Sequence, residues 1–89
     1  MVERDLKITN RLGLHARAAA KLVHLAGSFD AEVTLLRDGD EVDAKSILGL
    51  LQLGAAQGSD FTVRCAGRDE SDALIKITDL IEDKFGEGS

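Results

Sequence analysis

The stretch Asn10-Arg11-Leu12-Gly13-Leu14-His15-Ala16-Arg17-Ala18-Ala19-Ala20-Lys21 separates two regions of the chain that have different apolar periods. Before it, Leu6 and Ile8 alternate with polar residues, which predicts a strand over residues 2–9. From Ala16 onward the apolar residues recur at helical spacing up to Gly27, which can end the helix; they are Ala19, Leu22, Val23 and Ala26. The stretch therefore predicts a change from strand to helix at His15.

His15 is the side chain of this stretch with the clearest chemical potential. The first turn of a helix leaves backbone N–H groups without partners, and together with the helix dipole they attract anions. A neutral imidazole nitrogen can attack phosphorus. The planar guanidinium of Arg17 can donate hydrogen bonds to phosphate oxygens, and Gly13 permits a tight turn just before the histidine. The pattern favours a phosphoryl group carried on His15, although an isolated His-x-Arg is most often just an exposed helix start.

The rest of the chain continues the alternation of strands and helices. Strands are predicted around residues 31–35, 42–44 and 61–65, with a hairpin turn at Asp38-Gly39. A short helix over residues 47–53 begins after Ser46, whose hydroxyl can cap it. A last helix, capped by Asp69 or Ser71, carries Lys84 in its final turn and is closed by Gly86; its apolar face is Ala73, Leu74, Ile77, Leu80 and Ile81.

The predicted order is β-α-β-β-α-β-α, a single domain over residues 1–89 in which residues 86–89 fray. Because the strands alternate, the sheet needs a cover on one face only. The fold class is therefore an open-faced α/β sandwich, with a mostly antiparallel four-stranded sheet under a layer of helices.

Composition excludes several classes of function. The chain has 89 residues, is 44% hydrophobic and carries a formal net charge of −5 with three Phe as its only aromatic residues, which disfavours nucleic acid as a partner. No apolar run approaches the roughly 18 residues of a membrane span, and the first residues do not resemble a secretory signal. A single cysteine, Cys65, fits a reducing cytoplasm. The monomer is the default oligomeric state.

Neither a metal nor a cofactor is expected. The candidate metal ligands His15, His24 and Cys65 have no recognisable zinc spacing, and Cys65 belongs to an alternating strand as a small apolar residue. His24 falls on the polar side of the first helix, where solvent or a partner protein can reach it.

The short helix over residues 47–53 is apolar around most of its circumference, although a surface helix buries one face only. We expect Leu50 and Leu53 to point inward, and an exposed apolar patch to mark a partner surface. A more deeply buried helix is the alternative. The predicted docking surface comprises Leu14, Ala16, Ala20, His24, Ile47, Leu48, Leu51 and Gln52.

The segment Gly13-Leu14-His15-Ala16-Arg17, followed by a helix of small residues, resembles the phosphohistidine site of the HPr family, the phosphocarriers of the bacterial phosphotransferase system. The likeness extends to Lys45-Ser46-Ile47-Leu48-Gly49, to the strand order and to the length. It implies that Enzyme I phosphorylates His15 on Nδ1 with phosphoenolpyruvate as the source. It also implies that an Enzyme IIA receives the phosphoryl group, that Arg17 stabilises it, and that the chain is a relay component rather than a stand-alone enzyme.

Two further positions follow from this resemblance. Ser46 is similar to the regulatory site that HPr kinase/phosphorylase modifies in some bacteria, while helix capping alone also explains the residue. Ala18 stands where the family usually has proline. Since proline in a first helical turn lowers the entropy of the unfolded chain, the substitution is expected to cost about 0.4–1 kcal/mol of stability and to spare phosphotransfer.

Alternative functions remain open at this point. The phosphocarrier can belong to the sugar-uptake branch or to the nitrogen-related branch, whose members the segment Phe29-Asp30-Ala31-Glu32-Val33 also resembles. A small acylphosphatase-like hydrolase would hold phosphate with an arginine at a strand-to-helix turn, but only Asn10 is available to position water. An interaction domain of similar topology is the third candidate.

Overall fold

The computed structural model describes all 89 residues. Four strands and three α-helices follow one another as β1 (Val2–Lys7), α1 (Ala16–Ala26), β2 (Glu32–Arg37), β3 (Asp40–Asp43), α2 (Ile47–Leu53), β4 (Asp60–Ala66) and α3 (Glu70–Glu82). This order is the predicted one. The boundaries follow the apolar periods because each element buries the residues that recur on one side of it.

The sheet is entirely antiparallel, with the spatial order β1-β4-β2-β3. The hairpin between β2 and β3 turns at Asp38 and Gly39, whose φ angles of 50° and 86° give the two left-handed residues of a type I′ turn. The two central strands, β2 and β4, are joined in a register that places Val33 opposite Cys65 and Leu35 opposite Val63.

The core lies between one face of the sheet and the helices. Phe61, Val63 and Cys65 of β4 are buried and alternate with half-buried polar residues. On the outer face, Thr62 Oγ1 donates to Asp5 Oδ1 at 2.7 Å and Arg64 Nε donates to Glu3 Oε2 at 3.0 Å. α3 packs against β1 and β4, while α1 contacts α2 and α3. The open-faced sandwich predicted from the sequence is confirmed.

The start of α3 differs from the prediction that Asp69 or Ser71 caps it. Asp69 occupies the N-cap position without a side-chain capping bond. Its carboxylate instead accepts hydrogen bonds from the backbone N–H groups of Asp30 (2.9 Å) and Ala31 (2.8 Å). The side chain therefore ties the start of α3 to the segment before β2.

The end of the chain also differs from the prediction. α3 stops at Glu82, and a 3₁₀ turn follows over Lys84–Gly86, in which Lys84 and Phe85 have φ angles of 57° and 55°. Each left-handed non-glycine residue costs roughly 1–2 kcal/mol. Burial of the Phe85 ring, about 1.5–3 kcal/mol, and a 2.6 Å hydrogen bond from Lys21 Nζ to its carbonyl offset that cost.

The reversal at Phe85 brings residues 86–89 onto the segment before α1, where Arg11 N–H donates to the Ser89 carbonyl at 3.0 Å. The sequence predicts a frayed tail over residues 86–89; in the structure Glu87 and Ser89 accept hydrogen bonds from Asn10 and Arg11, more than 70 positions away along the chain.

Candidate functional site

The site is built around the open start of α1. His15 is the N-cap residue, with extended backbone angles (φ −80°, ψ 178°) and no side-chain capping bond. Its carbonyl accepts the first helical hydrogen bond from Ala19 N–H at 2.8 Å, and the first turn contains no acidic residue. The N–H groups of Ala16, Arg17 and Ala18 precede that first helical donor and gain no partner from the helix or from a cap. The positive end of the helix is therefore left open beside the imidazole.

Gly13 fixes the approach to His15. It has a left-handed φ of 68°, and an added Cβ would lie 2.7 Å from the Ala55 carbonyl oxygen. The same carbonyl accepts a hydrogen bond from Leu14 N–H at 2.8 Å. The tight turn predicted at Gly13 is confirmed, and it joins the His15 loop to the segment that follows α2.

Asn10 is completely buried beneath this loop. Its side-chain Nδ2 donates to the Gly13 carbonyl at 2.7 Å and to Glu87 Oε1 at 2.9 Å. Its Oδ1 has no hydrogen-bond partner. Because an amide turned the other way would set an oxygen against both acceptors, the donor orientation is the only one compatible with these neighbours.

Glu87 completes the surroundings of His15. Its Oε2 is hydrogen-bonded to His15 Nε2, and its side chain is only 13% exposed. The hydrogen bond from His15, followed by that from Asn10 and the positive charges of His15 and Lys21, holds the pKa of the Glu87 carboxyl below its ordinary value. The carboxylate is therefore ionised at neutral pH.

A cleft of about 390 Å³ opens in front of these residues, lined by Arg11, Leu12, His15, Arg17, Lys21, Gly86, Glu87 and Ser89. The predicted pair His15 and Arg17 is thus brought together, and two further cations stand beside it. Arg17 is exposed and takes part in no ion pair of the molecule. The cleft can accept a dianion such as a phosphoryl group.

Sequence reasoning missed part of this cleft. Lys21 lies four residues after Arg17, a helical spacing that places the two side chains on one face and could have been recognised. The sequence contains no comparable spacing that would place Arg11 and Glu87 in the cleft. Both residues reach it because residues 86–89 fold back onto the segment before α1.

All but one of the residues predicted for partner docking are exposed in the structure. Leu48 is 68% exposed, Ile47 and Leu51 are exposed beside it, and Leu50 and Leu53 are buried, as expected. Ala16, Ala20, His24 and Gln52 are also exposed. Leu14 is only 6% exposed and belongs to the core, so the prediction that it forms part of the surface is wrong.

Leu12 takes the place of Leu14 at this surface and was missed by the sequence analysis. It is 64% exposed and lines the His15 cleft. The reason is the left-handed turn at Gly13, which interrupts the alternation and directs the second of the two leucines into the core. We call Leu12, Ile47, Leu48 and Leu51 the apolar patch.

Ser46 caps α2 as predicted, because its Oγ accepts a hydrogen bond from Gly49 N–H at 3.2 Å. Its side chain is half-buried, at the opposite end of α2 from the Gly13 contact. Since α2 has seven residues, that separation along the helix is about 10 Å.

The cysteine, the possible metal ligands and the helices each bear on a further role. Burial, with the nearby Glu70 and Asp69 charges, raises the pKa of the Cys65 thiol, and no cluster of three or more His, Cys, Asp or Glu side chains is arranged to hold a metal ion. None of the helices combines the length and the apolar character needed to cross a membrane.

Known proteins match both the sequence and the fold. A family model described as the PTS HPr component phosphorylation site matches residues 2–83. The phosphocarrier protein HPr of Cupriavidus necator is 50% identical over 88 residues, which cover 99% of each chain. The phosphocarrier protein NPr of Shewanella violacea is 46% identical, with 99% of this chain and 97% of that one covered.

Among solved structures, the crystal structure of HPr-C-His from Thermoanaerobacter tengcongensis superposes with a TM-score of 0.95, at 42% identity and 98% coverage of each chain. The agreement of the strand order, the His15 segment and the full length with these proteins leaves one assignment. The chain belongs to the HPr family, the phosphocarriers of the phosphotransferase system.

Proposed function

We propose that this protein accepts a phosphoryl group on His15 from Enzyme I, with phosphoenolpyruvate as the ultimate donor, and passes it to an Enzyme IIA. One observation carries the proposal: His15 stands at an uncapped helix start, in a cationic cleft, beside the unpaired Arg17. That arrangement suits a group that must be held briefly and then released.

The proposed phosphoryl transfer requires only His15, the start of α1 and Arg17 from this chain. A neutral imidazole nitrogen attacks phosphorus, the bond between phosphorus and the donor group of Enzyme I breaks, and the bonding electrons return to the donor. The open N–H groups of α1 and the Arg17 guanidinium stabilise the charge on the phosphoryl oxygens during the transfer. The protein is thus a covalent relay whose reactions are completed by its partners.

The direct test is phosphorylation of the purified protein by Enzyme I and phosphoenolpyruvate. We expect one phosphate per chain, labile in acid and stable in base, and its absence in His15→Ala. His24→Ala removes the second of the two histidines and should still take up one phosphate per chain at the end point, whatever its effect on the rate of docking. Label that persists in His15→Ala would exclude the proposal, and steady release of phosphate from acyl phosphates would favour a hydrolase.

Partner docking is assigned to the apolar patch together with Ala16, Ala20, His24 and Gln52 of the exposed helix faces. Ala16, Ala20 and His24 run along α1 from its first turn to its last, and the surface continues on α2, which contacts α1. Enzyme I and Enzyme IIA would meet the same surface in turn, since each must bring its reacting group to the same cleft. The protein acts in the cytoplasm as a monomer under this proposal.

We also propose that Ser46 is a regulatory phosphorylation site for an HPr kinase/phosphorylase. The serine lies next to Ile47 and Leu48, so a phosphate there would place about two negative charges at the apolar patch. Acid-stable phosphate added by the kinase and ATP, and lost in Ser46→Ala, is the expected result. Failure of the kinase to label the wild-type protein would remove this role and leave the capping bond as the function of Ser46.

Sugar uptake is the proposed physiological branch, in line with the 50% identity to an HPr. The nitrogen-related branch is the second candidate, because a phosphocarrier protein NPr is 46% identical. Phosphotransfer rates to a sugar-specific and to a nitrogen-related Enzyme IIA, measured side by side, distinguish them. Faster transfer to the nitrogen-related acceptor would reverse the assignment.

A further inference from the structure

The folded-back end of the chain places a carboxylate on one nitrogen of the His15 ring. Glu87 Oε2 is hydrogen-bonded to His15 Nε2, while Glu87 Oε1 accepts from Asn10 Nδ2 at 2.9 Å. An ionised carboxylate only accepts hydrogen bonds, so Nε2 must carry the proton. The neutral ring then has its lone pair on Nδ1.

We infer that Glu87 is a positioning residue that fixes the tautomer of His15, makes Nδ1 the phosphoryl acceptor and stabilises the ring once it is phosphorylated. This inference rests on the proposed function and adds the residue that selects the reacting nitrogen. It parallels the way in which a carboxylate orients a catalytic or metal-binding histidine through the nitrogen that does not react.

The bonding changes show why a carboxylate is suited to this place. Nδ1 donates its lone pair to phosphorus as the P–N bond of the donor breaks, and Nε2 keeps its proton. The product ring is a phosphorylated imidazolium with a positive charge, which Glu87 faces directly. On transfer to the next protein the Nδ1–P bond breaks, its electron pair returns to Nδ1, and no proton has moved.

Glu87 is held in place independently of His15. Asn10 fixes one of its oxygens, the buried Phe85 ring anchors the turn before it, and Arg11 N–H binds the Ser89 carbonyl after it. The charged groups facing the ring are Arg17 and Lys21 from α1, Arg11 from the preceding loop, and Glu87. Glu87 is the only anionic side chain among these groups, so it alone can orient Nε2–H.

The test is nitrogen-15 NMR of the unphosphorylated full chain at a pH where the His15 ring is neutral. We expect His15 in the wild-type protein to be the Nε2–H tautomer, with a proton signal protected from exchange. In Glu87→Ala we expect a tautomer mixture like that of a solvent-exposed histidine side chain and loss of the protected proton. Glu82→Ala is the control, since Glu82 is an exposed glutamate in the last turn of α3 that leaves His15 unchanged.

Phosphorylation by Enzyme I gives the second readout. We expect the wild-type phosphate on Nδ1, with the Nε2 proton retained, and about a tenfold lower kcat/KM for Glu87→Ala. A wild-type Nδ1–H tautomer, phosphate on Nε2, or a Glu87→Ala spectrum identical to wild type would each overturn the inference. The NMR result needs no phosphotransfer, so it stands apart from the test of His15 phosphorylation itself.

Discussion

Arg17, like Arg11 and Lys21 of the same cleft, takes part in no ion pair within the chain, and its guanidinium lies closest in sequence to His15. A charge-assisted hydrogen bond from its guanidinium to a phosphoryl oxygen would contribute about 1.5–3 kcal/mol. Arg17→Gln is therefore expected to lower kcat/KM for transfer from phosphorylated Enzyme I by roughly ten- to a hundredfold. Arg4→Gln, at an exposed position of β1, is the matched control and should transfer at the wild-type rate. Equal rates for the two variants would remove Arg17 from the site.

Gly13 is constrained by both its backbone angle and its neighbours. In Gly13→Ala, the new Cβ would meet the Ala55 carbonyl oxygen at 2.7 Å and Ala56 Cα at 3.0 Å. Gly58 has a similar left-handed φ of 89°, with nothing within 4 Å of an added Cβ. We expect Gly58→Ala to cost about 1–2 kcal/mol and Gly13→Ala about 1–3 kcal/mol more, measured by urea denaturation. Equal losses would show that the contact with Ala55 is easily relieved.

At the scale of elements, α2 has a buried face and an exposed apolar face. Leu48 is 68% exposed on this helix, and Ile75 is 57% exposed on α3. Leu48→Ser is expected to weaken binding to Enzyme I about tenfold without changing the melting temperature, because the leucine is largely exposed and lies on the proposed docking surface. Ile75→Ser should change neither quantity. Equal weakening by both variants would mean that general surface hydrophobicity, rather than the apolar patch, drives the association.

The cap of α2 can be tested apart from any regulation. Ser46→Ala removes the acceptor for Gly49 N–H and is expected to destabilise the protein by about 1 kcal/mol, measured by urea denaturation. Ser46→Asp keeps an acceptor at the cap, so its stability should stay near that of wild type while Enzyme I binding weakens. A destabilised Ser46→Asp variant would show that the half-buried position tolerates no added charge.

The elements themselves could be predicted because their signals are local. The two-residue period of Phe61, Val63 and Cys65, the Asp38-Gly39 turn and the Ser46 cap each lie within a few residues of what they determine. Leu14 was misassigned because the left-handed turn at Gly13 decides which of its two flanking leucines, Leu12 or Leu14, enters the core. The spacing of apolar residues along the sequence does not show which of these two leucines is buried.

At the scale of the whole molecule, the carboxylates of Asp69 and Glu87 make the free energy of unfolding depend on pH. The backbone N–H of Asp30 and then that of Ala31 hold the pKa of Asp69 below its ordinary value of 3.8, and His15 and Asn10 hold the pKa of Glu87 below 4.5. A depressed folded pKa gives stability that is present above the ordinary value and is lost as the pH falls through the folded value.

We therefore expect the free energy of unfolding to fall as the pH drops below about 4.5, and to fall less steeply in Asp69→Asn and Glu87→Gln. Urea denaturation at a series of pH values measures the slope. Asp79→Asn, at an exposed position of α3, is the control and should follow the wild-type curve. Parallel curves for all four proteins would show that neither carboxylate governs acid unfolding.

The part of the site that escaped prediction is the part assembled over long range. His15 and Arg17 are two residues apart and reveal themselves by spacing, whereas Glu87 lies 72 positions from the histidine that it contacts. Its approach depends on the left-handed pair Lys84 and Phe85, two residue types that rarely adopt that conformation. The local sequence does not predict this left-handed turn. The contact between Glu87 and His15 that depends on it is therefore seen only in the folded structure.

The hydrogen bond between Asn10 and Glu87, which are 77 positions apart, has a consequence for the dynamics of the molecule. Because it joins the segment before α1 to the segment after α3, the surroundings of His15 are complete only when both segments are folded. Local unfolding of residues 84–89 would release the His15 ring while the sheet stays intact.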